Sequence, residues 1–413
     1  MNQADFSPVS RYFGWISLAI ILAYMLRVTI PALWIYPIAP TIVELSGFVF
    51  LLIALTGLFF DSKMKLLPVA LLLIMSVVIS TILSINFETA LIRSLLWMGV
   101  FIAVGPVIMG HRASIFRNHL WNHSILIIYL VVTLSFVWNM LGLPIYGKGA
   151  AGITVHCMLL GALAGISTIL SFHALWTHSF RSLIYWFIFV SSFLTCMLSG
   201  SRSALMAAVV GCAFIFVSRL GNAINRIIMI TLVLLTAAVS WFFLDIGNSD
   251  EENFNEASLG VLAPFASEIV MKGSSNSRET LWINRVAEIE ESPVVGIGLG
   301  VELYKKANTE HLETNTIEPG SSYLAVLSMT GFMGGLSLLL LITSLVAKMK
   351  KNSRVFFKND AVQVIGVGTF WAIHGIAEGW IFAGGSILCL FFWIWVGRLA
   401  HFYSPPFVRT ADL

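Results

Sequence analysis

Long apolar stretches, separated by short polar ones, run through almost the whole chain. A helix needs roughly 20 residues to cross a hydrocarbon core of about 30 Å. Twelve stretches are candidates by that measure: 12–36, 39–60, 65–85, 89–109, 122–143, 150–172, 182–199, 202–218, 226–244, 321–347, 361–383 and 385–402. The pattern predicts an all-α integral membrane protein of about 12 transmembrane helices, one polytopic domain over residues 1–413. A single polar stretch, residues 245–319, is far longer than the others and reads as a loop insert between the ninth and tenth spans. From Ser277 the loop regains a helical rhythm. Ser277 is placed to cap, Trp282, Val286 and Ile289 recur at helical spacing, and Pro293 follows the end. This predicts a short amphipathic helix on the membrane surface, with Arg278, Trp282 and Arg285 sharing a face. Gly296-Ile297-Gly298-Leu299-Gly300 then forms a turn. It lacks the preceding strand and the following Lys-Ser/Thr that a phosphate-binding loop requires.

Composition points the same way, because 58% hydrophobic and 11% charged residues leave too little polar surface to cover a soluble globule. Lys and Arg set the orientation, since positive segments are retained on the cytoplasmic side. With both termini inside, fifteen of the 24 Lys and Arg fall there, among them Lys63, Lys65, Arg112, Arg117 and Arg219. The long loop is then periplasmic. It holds 14 of the 21 acidic residues, so the overall charge of +3 averages a basic inner face with an acidic outer loop and says little about partners. The first span is long and has no small-residue cleavage site after it, which predicts a retained signal anchor. All four cysteines, Cys157, Cys196, Cys212 and Cys389, fall inside predicted spans and read as small core residues. The uneven division of spans by the loop, with no internal repeat, argues against a transporter built from two related halves.

Charges inside a bilayer are expensive, so their positions are informative. Arg27, Glu44, Arg93, His156, His374 and Glu378 fall in the outer halves of their spans, and Arg202 sits at the outer mouth in Ser199-Gly200-Ser201-Arg202-Ser203. The cytoplasmic half carries no comparable set. One reading pairs Arg27 with Glu44, and Arg93 with Glu88 or Glu378, to let helices pack. The other gathers these groups around an outward polar cavity, in which guanidinium groups would engage a polyanion such as phosphate. His374 and Glu378 share a helix face as a structural hydrogen-bonded pair or as an acceptor-binding pair, and no metal-like spacing accompanies them. His156 faces the same choice, with a helix-to-helix hydrogen bond as the default. The 13 Trp and 30 Phe read as lipid-facing and interfacial, and no sugar-stacking site is assigned from them.

Three segments resemble the O-antigen ligase and O-antigen polymerase superfamily. They are Leu198-Ser199-Gly200-Ser201-Arg202-Ser203-Ala204, then Arg278 with Leu281-Trp282 followed by Ser292-Pro293-Val294-Val295-Gly296-Ile297-Gly298-Leu299-Gly300, and then Ser321-Ser322-Tyr323-Leu324 running through Gly331 and Gly334. The resemblance implies a GT-C-like membrane glycosyltransferase without metal or cofactor, in the bacterial cell inner membrane, with its active site facing the periplasm. An acceptor hydroxyl would attack the anomeric carbon of an undecaprenyl-pyrophosphate-linked glycan, and undecaprenyl pyrophosphate would leave. Arg278 and Arg202 would hold the pyrophosphate, with Arg93 and Arg27 as further contributors. The base would be Glu318 or Glu378, and His374, His156 and Ser321 would line the acceptor side. The partners implied are the lipid-linked donor, a glycan or lipid A-core acceptor, membrane lipid, a chain-length regulator and a flippase, with no nucleic acid. In one respect the chain departs from the ligases. Their motif has a His eleven and fourteen positions before two glycines; counting back from Gly331 and Gly334 reaches Gly320, with Ser321 fitting the next position. His311 lies upstream as a surface histidine. The departure puts polymerisation of repeat units ahead of ligation, with a flippase as the less favoured alternative.

Overall fold

The computed structural model describes residues 8–29, 38–59, 61, 65–143, 150–178, 182–220, 276–303, 320–351 and 359–401. The 226–244 span, His311 and Glu318 lie outside the described residues, as do the side chains of Glu44 and Arg278.

Among the described residues the chain forms α1 (Pro8–Thr29), α2 (Ile38–Phe59), β1 (Lys65–Leu66), α3 (Pro68–Ile82), α4 (Phe87–Val104), β2 (Ile108–Met109), α5 (His111–Met140), α6 (Cys157–His178), α7 (Leu183–Leu198), α8 (Arg202–Leu220), α9 (Asn276–Glu291), α10 (Ser322–Lys351), α11 (Asn359–Ala377) and α12 (Ile387–His401). The protein is an all-α membrane protein, with one minimal antiparallel pairing that sets Lys65 against Met109 and Leu66 against Ile108. Local chemistry starts several helices. Pro68 occupies the first turn of α3, where its missing N–H costs nothing, and Asn86 caps α4 by accepting from the Thr89 N–H at 3.2 Å, with Glu88 in the same turn.

Six of the described helices, α1, α4, α5, α6, α8 and α10, are long and apolar enough to cross a membrane; α3, α7 and α12 are shorter apolar helices, as is the Leu45–Phe59 part of α2. The expected boundaries shift most in three places. α5 begins at His111 rather than 122. α6 begins only at Cys157, because Gly152 adopts φ +57 and turns the chain before it. The predicted 361–383 span ends at Ala377, so Glu378 opens an irregular connection, residues 378–386, that leads into α12.

One continuous apolar core joins the bundle, with α1 against α2 and α5, α3 against α10, α4 against α12, and α6 against α7, α8 and α11. Its centre is aromatic: Trp97 stacks on Phe101 at 4.7 Å, and Trp393 meets both edge-on. The four cysteines are free, three of them buried and Cys212 half-buried.

Candidate functional site

α10 is broken. Gly331 sits inside it at φ 61 and ψ −169, which interrupts the helical ladder and would leave carbonyls before it and N–H groups after it without partners. The turn after α9 supplies what is missing. Ile297 and Gly298 donate their N–H groups to the carbonyls of Ser328 and Met329 at 2.9 and 3.1 Å, and Phe332 and Met333 donate to those of Pro293 and Val294 at 2.8 and 3.1 Å. Irregular backbone within an apolar bundle is tolerated when protein satisfies it in this way. Glycine is required on both sides of the joint. A Cβ on Gly331 would collide with the Val294 carbonyl, and one on Gly296 with the Met329–Thr330 peptide. Two serines of the α3 end complete the dock, Ser80 Oγ to Met329 O at 2.5 Å and Ser84 Oγ to Ile297 O at 2.7 Å.

The far end of α9 is fastened as well. Trp282 donates its indole N–H to Gly320 O at 3.1 Å, so α9 runs parallel to the first half of α10 and is pinned at both ends. On its inward side Arg285, 3% exposed, pairs with Glu288 at 2.7 Å and with Glu302 at 2.8 Å, while Glu288 also accepts the Leu303 N–H at 3.2 Å. Burial pushes the Glu288 carboxyl above the ordinary carboxylate range, against the pull of Arg285. Arg285 therefore does not share a face with Trp282, which stands half-exposed; the three-residue spacing of Arg285 and Glu288 was the legible sign of the ion pair. Arg278 lies in the first turn of α9, one turn before Trp282.

The start of α10 is in turn stitched to the end of α11. Ser321 Oγ donates to Gly375 O at 3.4 Å, and Ser322 Oγ donates to Glu378 O at 2.6 Å while accepting the Trp380 N–H at 3.2 Å. His374, fully buried on α11, shares a hydrogen bond between its Nδ1 and Ser203 Oγ at 3.2 Å, which brings in the first turn of α8 and thus Arg202. The 378–386 connection reaches back to the other side of the bundle. Arg27 Nη1 donates to Gly385 O at 2.6 Å, and Gly384 packs so closely on α4 that an added Cβ would stand 2.6 Å from Trp97 N and 3.1 Å from Arg93 O.

Residues 187–339 match the O-antigen ligase family model. The match supports the O-antigen ligase and polymerase superfamily, and it takes in most of α7, then α8, α9 and the broken start of α10, where the segments that carried the resemblance lie. No match is found among curated proteins.

The sequence-predicted residues are distributed as follows. Arg27, Arg93, Arg202, Ser321, His374 and Glu378 stand on elements that meet at one end of the bundle; Arg27, Arg93, Arg202 and Glu378 are half-buried there. His156 is not inside a span. It is exposed in the turn before α6, where its Nδ1 accepts the Met158 N–H at 3.1 Å, and the adjoining Val155 N–H bonds to Val28 O at 2.9 Å, beside Arg27. Glu378 has left the helix that carries His374, although its N–H still bonds to His374 O at 3.1 Å. Position 320 is informative in its own right. Gly320 has φ +70, and a Cβ there would stand 2.9 Å from Leu281 Cβ and 3.3 Å from Trp282 Cδ1, so a histidine could not replace it without moving α9. Among the described residues no three His, Cys, Asp or Glu side chains group in a way that could hold a metal ion. The arrangement places arginines from three separate helices at one end of the bundle, with the Arg27 guanidinium on the Gly385 carbonyl; guanidinium is the side-chain group that engages phosphate with paired hydrogen bonds.

Proposed function

We propose that this protein polymerises undecaprenyl-pyrophosphate-linked oligosaccharide repeat units into a surface polysaccharide, at the periplasmic face of the bacterial inner membrane. The family match supports glycosyl transfer of the ligase or polymerase type. The observation that favours polymerase is Gly320, whose left-handed backbone and close contact with Leu281 and Trp282 make the histidine that the ligase motif carries there a strained fit.

An acceptor hydroxyl attacks the anomeric carbon, the bond from that carbon to the pyrophosphate oxygen breaks, and the electron pair leaves with undecaprenyl pyrophosphate. The leaving group is already activated, so the protein mainly stabilises departing negative charge and orients the hydroxyl. Arg278 and Arg202 take the first task, helped by Arg93 and Arg27; Glu318 or Glu378 accepts the hydroxyl proton. His374 and Ser321 hold the acceptor side through α8, α10 and α11, and His156 flanks Arg27. A second reading, transfer to lipid A-core, is favoured by the description of the matched family as a ligase.

The test uses purified full-length protein in detergent with lipid-linked repeat unit, with and without lipid A-core, read as chain length and released undecaprenyl pyrophosphate. Lengthening without lipid A-core is expected. Product only when lipid A-core is present would establish the ligase instead, and no product in either arm would remove both enzymatic readings. Arg278→Ala is expected to lower lengthening by about 10²-fold or more, while undiminished activity would strip Arg278 of its role.

A further inference from the structure

We propose that Trp282 is the platform on which the acceptor sugar stacks, an assignment that rests on the glycosyl-transfer reading and specifies its acceptor side. The tryptophans of the 378–386 seam and its surroundings are closed off: Trp97, Trp371 and Trp380 are 0%, 3% and 3% exposed. Trp282 is 38% exposed. Its indole is also held in a fixed orientation, because the N–H is tied to Gly320 O and the ring edge lies against the Gly320 backbone where a larger residue would not fit. A rigid aromatic face with a satisfied polar edge binds the C–H face of a pyranose at little conformational cost, which is why such rings recur where a ligand is half apolar and half wet. Its position fits that task. Trp282 lies one helical turn from Arg278 and touches the residue before Ser321, whose neighbour Ser322 is bonded to the Glu378 carbonyl. A sugar on this face would therefore sit between the α9 turn that carries Arg278 and the α10–α11 seam.

The probe is the lipid-free repeat-unit oligosaccharide, released by mild acid from the lipid-linked intermediate of the same strain and titrated into the full-length protein in nanodiscs. Trp282→Ala is expected to weaken its Kd about 10-fold or more, a loss of about 1.4 kcal/mol per factor of ten. Trp282→Phe keeps a ring but not the N–H, and should recover most of the affinity. Trp15→Phe, on the exposed face of α1, should change nothing. If Phe loses as much as Ala, the bond to Gly320 matters rather than the ring, and the assignment fails; it fails too if the wild type does not bind the oligosaccharide. Should Trp282→Ala not fold, the fluorescence difference between wild type and Trp282→Phe decides the matter. Iodide quenching that the oligosaccharide relieves supports stacking, whereas quenching by brominated lipid makes Trp282 a membrane anchor and overturns it. Elongation by the wild type is scored separately. Its absence would refute the polymerase reading, while the binding series would still decide the stacking.

Discussion

Arginines occupy both ends of the bundle, buried at one and half-buried at the other. At one end Arg117, 2% exposed on α5, gives its donors to the carbonyls of Val104, Gly105 and Ile108 at 3.3, 2.5 and 2.5 Å, closing the C-terminus of α4 and the adjoining β2. Arg398, on α12, bonds to Asn118 Oδ1 at 2.9 Å beside it. At the other end Arg27, Arg93 and Arg202 are only half-buried, on three different helices around the 378–386 connection. The first arrangement closes backbone carbonyls inside one buried corner. The second also ties chain to chain where Arg27 meets Gly385 O, but it does so on separate helices that converge on one polar connection. We propose that only the second end serves a ligand.

The contrast can be broken most severely at Arg117. Arg117→Met should leave buried carbonyls without donors at about 1–3 kcal/mol each, so the folded yield and the melting temperature in detergent should collapse, while any molecules that fold retain normal activity per molecule. A well-folded variant with lost activity would reverse the roles assigned to the two ends. Next in size is Arg93→Gln at the opposite end. It should fold normally and raise the KM for the lipid-linked donor about 10-fold, measured as rate against donor concentration; a drop in stability with unchanged KM would make Arg93 another staple.

The smallest effect concerns Glu288. Its pKa is raised by burial, so the folded state binds its proton more tightly than the unfolded chain does. The stability it contributes is present below the ordinary carboxylate pKa and is lost as pH rises through the elevated one. Melting temperatures of wild type and Glu288→Gln, compared from acid to neutral pH, should show the wild type losing ground as pH increases. A gap that does not change with pH would mean that Arg285 compensates the burial fully.

Much of the architecture was legible because apolar length and Pro, Gly and Asn punctuation are local signals. The helices predicted at 202–218 and 321–347, and the one after Ser277, all form. Errors gathered where a non-local partner overrides local pattern. The run from 361 to 383 reads as one span, yet the chain leaves the helix at Glu378, where the carbonyl is taken by Ser322 of α10. Arg285 looked like a companion of Trp282 because its two carboxylate partners, one of them beyond the Gly-rich turn, could not be inferred from helical spacing. Arg117 read as a cytoplasmic loop charge because the carbonyls it satisfies leave no mark in the sequence. For the candidate site, the grouping of Arg27, Arg93, His374 and Glu378 at one end of the bundle was visible as depth along spans, whereas the joint between Gly296 and Gly331 is backbone meeting backbone and leaves little side-chain signature.

That joint also bears on how the protein is made. A polypeptide emerges from its amino end, so residues 293–298 are synthesised before Gly331. When the interrupted part of α10 arrives, its replacement partners already exist. Reversing the order of the two segments, as a circular permutation opened between them would do, leaves the same bonds in the finished molecule but makes the break appear before anything can heal it.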